Sequence, residues 1–122
     1  MEQDGDALAR LDLVLVRDPR YRAEAYAFVV EALRYTLERR GRTGHVTAAE
    51  LMAGIRELGV KEFGPLTKTV FNHWGIHQAS QFGDLVYNMI AVELLGKRPE
   101  DQREDFDRAS FDLDSLPTDG SP

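Results

Sequence analysis

The 122-residue chain contains no cysteine. Disulfide scaffolds, thiolate metal sites and cysteine nucleophiles are therefore excluded. No apolar run approaches the ~20 residues that a bilayer-spanning helix needs. The opening residues, MEQDGDALAR, have neither the basic start nor the apolar core of a signal peptide. The expectation is a cytoplasmic protein without membrane association. The sequence also lacks a G-x-S-x-G elbow, a phosphate-cradling glycine loop and an H-E-x-x-H helix, so neither an enzyme nor a cofactor is expected.

Positive charge is scarce as well. The chain has 15 basic and 21 acidic residues, for a net charge of −6. Residues 1–98 carry thirteen of each sign, and the whole excess lies in residues 99–122, where eight acids accompany Arg103 and Arg108. Each phosphate contact needs a cation, so this distribution disfavours a nucleic-acid partner. The one local basic excess is Arg34, Arg39, Arg40 and Arg42 around Glu38. With Lys68, it carries the nucleic-acid alternative.

What the sequence does contain is helical periodicity. Leu8, Leu11 and Leu15 share a face in DALARLDLVLVRD, with Asp4 or Asp6 available as a cap and Asp18-Pro19 as the stop. Val14 and Val16 widen that surface and place this helix in a groove. From Tyr21 to about Arg40, Tyr26, Val29, Val30, Leu33 and Leu37 form one stripe, and Tyr21, Phe28 and Tyr35 form a second. A helix apolar on two faces is central, and its aromatic line reads as core packing. Thr47 and Glu50 have capping-box spacing at the start of a helix with Leu51, Met52, Ile55 and Leu58 inward. Gly59 and Gly64-Pro65 bracket a break, and a helix opening at Pro65 carries Leu66, Val70, Phe71 and Trp74 to a stop at Gly75. Gln78 or Ser80 opens the last long helix, which runs towards Gly96.

The expected fold is all-α, a single domain of about five helices in residues 1–98. It leaves open two helix–loop–helix units joined by a minimal bridge between Val46 and Ile76. Residues 99–122 read as an acidic tail with isolated Phe106, Phe111, Leu113 and Leu116, unable to build a core alone. It is expected to dock partly, around Phe106, with a disordered end.

The strings RDPRYRAEAYAFVVEAL, GHVTAAELMAGIRELGVKEFGPLTKTVFNHWGI and FGDLVYNMIAVELLGKRPEDQREDF, in that order, resemble the Minf family of small bacterial proteins, named after a Methylacidiphilum locus. The resemblance spans roughly residues 8 to 106. It implies one compact domain, and supplies no activity and no binding residues.

RRGRTGHVTAAEL looks like a degenerate calcium loop. With Glu50 as its twelfth residue, Gly44 and Val46 fit the sixth and eighth positions, but Arg39, Gly41 and Thr43 replace the oxygen donors at the first, third and fifth. Calcium needs six or more oxygens, so no calcium site is expected. His45, His73 and His77, with Glu50 or Asp84, are weak candidates for a metal or small ligand, because Gly75 separates His73 from His77.

The leading functional expectation is a non-catalytic interaction module that takes an unknown protein partner or its own copy, through apolar surface on the first or last helix. The tail gives the other interaction candidates. Phe106 with Asp101, Glu104 and Asp105 is either handed to a partner or packed on its own body, its acids pairing with Arg39, Arg40 or Arg42.

Overall fold

The structure is a computed structural model that describes residues 2–41, 46–95 and 103–118, with side chains described from Leu8 onward except that of Arg40. Six α-helices lie among them: α1 (Glu2–Arg17), α2 (Ala23–Arg40), α3 (Ala48–Phe63), α4 (Thr67–His73), α5 (Phe82–Ala91) and α6 (Arg103–Arg108). Short 3-10 turns at Gly64–Leu66, Ala79–Gln81 and Leu113–Ser115 join or follow them. The chain is an all-α single domain, its first five helices in the body and the sixth in the acidic tail. No described helix is long and apolar enough to cross a membrane.

Local chemistry sets the helix ends. The Thr47 side chain accepts from the Glu50 N–H at 3.1 Å, and the Glu50 carboxylate accepts from the Thr47 N–H at 3.0 Å. This capping box satisfies two donors that a helix start leaves free. Gly41 closes α2 in the left-handed conformation, its N–H donating to the Glu38 and Leu37 carbonyls. Beyond α4, the N–H of Ile76 donates to Phe71 at 2.9 Å and that of Gly75 to Asn72 at 3.0 Å. That pattern is a Schellman stop. Gly75 is required there twice over: its φ is 97°, and a Cβ would lie 2.2 Å from the Arg20 carbonyl oxygen.

The core follows from α2. Ala25, Val29 and Ala32 are fully buried, and Phe28 joins Phe63, Phe71, Trp74 and Phe82 with ring centroids 5.3–6.4 Å away. Such ring pairs contribute about 0.5–1.5 kcal/mol each beyond their burial. On its other side α2 meets α3, where Gly54 admits the Thr36 hydroxyl to a point a Cβ would block. That hydroxyl donates to the Ala32 carbonyl at 2.7 Å.

Three expectations change. The helix does not break at Gly59, because α3 continues to Phe63 and Gly59 serves as contact surface for Phe71 and Thr67. The last body helix ends at Ala91, short of Gly96. Glu93 stops it in the left-handed region at φ 65°, with the Leu94 N–H donating to Met89. No strand or bridge occurs among the described residues. Val46 and Ile76 enter the core as buried side chains, and the N–H of Ile76 is used by the α4 stop.

Candidate functional site

Two surfaces invite a functional reading: the tail, and the outward side of α1. In the tail, Phe106 is 3% exposed and meets Tyr87 edge-on at 6.1 Å, while Leu113 and Leu116 are buried in the same core. Gly83 makes room for this segment, since a Cβ there would lie 2.8 Å from the Phe106 Cβ and 2.7 Å from Arg103 Nη1. Lys68 pairs with Asp114, Arg56 donates to the Ser115 carbonyl at 3.3 Å, and the Arg56 guanidinium lies over the Phe111 ring.

A polar network fixes both the tail and the α1–α2 junction. Asp84, on the first turn of α5, accepts from Arg103 Nη2 at 2.8 Å and Nε at 3.2 Å through one oxygen, and from the Tyr21 hydroxyl at 2.7 Å through the other. Arg103 also donates to the Ser80 carbonyl and to Asp107. Asp18 accepts a two-pronged bond from Arg20, both legs 2.8 Å, and a third from Asn88, which also donates to the Tyr26 hydroxyl.

The Arg20 hydrogen bonds lower the Asp18 carboxyl to about 2, against the opposing effect of its burial. Burial first, and the Asp84 carboxylate second, push the Tyr21 phenol well above its usual range. Burial opposes the charge on Arg103, but its bonds to Asp84 outweigh that and hold it firmly protonated. Among the described side chains, no buried nitrogen or oxygen lacks a hydrogen-bond partner. The members of this network are thus engaged with one another or with neighbouring groups. Sequence reasoning missed it because its members stand 63, 19 and 70 residues apart and form no motif. Its available signal was Arg103, a cation inside an acidic segment.

The residues singled out in the sequence scatter. Arg34 pairs with Glu31, Arg39 with Glu57, and Asp105 with Arg108, while Glu104 is exposed. Arg42, His45 and Asp101 lie outside the described residues, as does the Arg40 side chain. Phe106 is buried in its own domain, so it is not presented for capture. His73 and His77 are both exposed, and no group of three or more metal-ligating side chains is found among the described residues. Glu50 serves the capping box, and Arg39 is still within α2, where the first position of a calcium loop would fall. A groove of about 430 Å³ runs between α4 and the tail, past Asn72, His77, Ser110 and Asp112, with the paired Lys68 and Asp114 on its wall.

The first helix differs. Val14 is 1% exposed and packs into the core with half-buried Leu11 and Leu15. Arg10 ties the helix to the end of α5, donating to the Glu93 carbonyl at 3.1 Å. The opposite side carries Leu13 and Val16, which are 49% and 78% exposed, while Leu8, at the start of the described side chains and on the same stripe as Leu11 and Leu15, is 66% exposed. Val16 therefore does not join Val14 in a groove: two residues apart on a helix, they point about 160° away from each other.

No protein-family model, curated protein or solved structure matches the chain.

Proposed function

We propose that this chain is a non-catalytic protein-interaction module that docks through the outward side of α1. The observation that carries this reading is the exposure of Leu13 and Val16, one turn apart on a helix whose other side already fills the core. Clustered exposed apolar residues mark interaction sites in soluble proteins, whereas single ones need no explanation. The polar network between body and tail supports the same reading, because Asp18, Asp84 and Arg103 are engaged with one another or with neighbouring side chains.

The nucleic-acid alternative gains nothing from those of its cations whose side chains are described. Arg34, Arg39 and Lys68 each face a carboxylate. A site built for phosphate keeps its cations available.

The test is partner capture from nuclease-treated lysate with the full chain and with a Leu13→Glu/Val16→Glu variant. Both substituted positions are solvent-facing, so the variant is expected to keep its helical circular dichroism. Loss of a captured protein with the variant alone is the expected outcome. Identical captures by the two baits would contradict the proposed surface.

A further inference from the structure

Ala9, Leu13 and Val16 follow one another at spacings of four and three, the repeat of a two-helix seam. All three are exposed. Leu11, Val14 and Leu15, which pack on the domain, occupy the side opposite this seam. The body thus covers the back of α1 and leaves one side for one neighbour.

The charges beside the seam restrict what that neighbour is. Asp12 lies on one flank and Arg17 on the other, five residues later. Both are exposed, and neither has an ion-pair partner among the described residues. When two helices pack in parallel, the residue just before a seam position faces the residue five places further along in its neighbour, so acid at the first and base at the second attract. A two-fold axis makes this reciprocal: Asp12 of each copy meets Arg17 of the other. An antiparallel pair would set Asp12 against Asp12 and Arg17 against Arg17.

We infer that the occupant of this face is a second copy of the chain, with the two α1 helices parallel and Leu13 and Val16 facing their own counterparts across the axis. This inference rests on the interaction-module reading and names its partner. Three seam layers per copy fall well short of the roughly 800 Å² per partner of a standard interface. The pair is therefore weak, with a dissociation constant on the order of tens to hundreds of micromolar.

The absence of cysteine permits a clean test. In the full-length chain, Val16→Cys places a thiol beside the axis, and Glu62→Cys on α3 provides an exposed control. Under mild oxidation Val16→Cys is expected to form a disulfide-linked dimer about tenfold faster than the control. Sedimentation equilibrium supplies the second readout. The wild-type mass is expected to rise from 13.8 kDa towards twice that value with concentration. Asp12→Arg alone and Arg17→Asp alone are expected to remain monomeric, and an equimolar mixture of the two variants to associate again, because opposite charges then meet at both flanks.

A wild-type mass fixed at that of the monomer up to about 1 mM, or charge variants that associate like wild type, would overturn the inference. So would a Val16→Cys cross-linking rate equal to that of the control. If self-association fails while capture from lysate still depends on Leu13 and Val16, the interaction module stands and only the second copy is excluded. If both fail, the interaction reading falls too.

Discussion

Helix α1 and the tail segment 103–118 both lie against the body, but they are held there differently. The tail is charge-rich and carries few apolar groups, yet Phe106, Leu113 and Leu116 are all buried and Arg103 is locked to Asp84. Helix α1 is rich in leucine and valine, yet only Val14 is fully buried, Leu8 is exposed, and Leu13 and Val16 face outward. Apolar content alone does not decide which segment belongs to the core. What decides is whether each apolar group finds a complementary socket: Gly83 provides one beneath Arg103 and Phe106, and nothing described covers the outward side of α1.

The strongest way to break this contrast is Phe106→Ala. A buried phenylalanine cut to alanine costs about 3–5 kcal/mol, so the urea midpoint of the whole domain is expected to fall sharply. An unchanged midpoint would make the tail a detachable segment. Gly83→Ala is expected to cost about 1–3 kcal/mol by crowding the Phe106 Cβ, and to raise proteolytic nicking within residues 103–118. The paired substitutions Val14→Ala and Val16→Ala sharpen the α1 side of the contrast. The first is expected to cost about 1.5–2.5 kcal/mol and the second under about 0.5 kcal/mol in thermal unfolding.

The α1–α2 junction gives a pH prediction. Asp18 titrates near 2 when folded, against an ordinary 3.8, so the unfolded chain binds more protons between those values. Its contribution, on the order of 1–2 kcal/mol, is present above pH 3.8 and lost as pH falls through 2. Asp18→Asn is expected to remove that part of the acid-unfolding profile, and an unaltered profile would contradict the assignment. The smallest effect belongs to Glu93→Gly. Relief of the left-handed strain is expected to raise stability by at most about 1 kcal/mol, seen as a small rise in Tm. A fall in Tm would show that the Arg10 contact with Glu93 holds α1 more tightly than the contrast allows.

Much of the scaffold is legible in the sequence because its signals are local. The Thr47–Glu50 box, the stop at Gly41 and the stop at Gly75 depend on neighbours within about five residues. The all-α class follows from periodicity in the same way. The orientation of α1 is legible in part: Leu11 and Leu15 of the expected stripe pack on the core with Val14, but Leu8 and Val16 do not join them, and the sequence does not say that Leu13 and Val16 stay exposed together. The role of Arg103 is hidden, because its partner Asp84 looks like an ordinary first-turn acid until α6 is laid beside α5. Glu93 ends α5 without the glycine that a sequence reading relies on, and Gly96 drew the expected boundary too far along.

The most direct test of a fixed tail beside an outward-facing first helix is native-state hydrogen exchange on the full chain at micromolar concentration. The account predicts that the amides of α6 exchange almost as slowly as those of α5, and that those of α1 exchange faster through local opening. A freely exchanging α6 beside an α1 as protected as the core would contradict it.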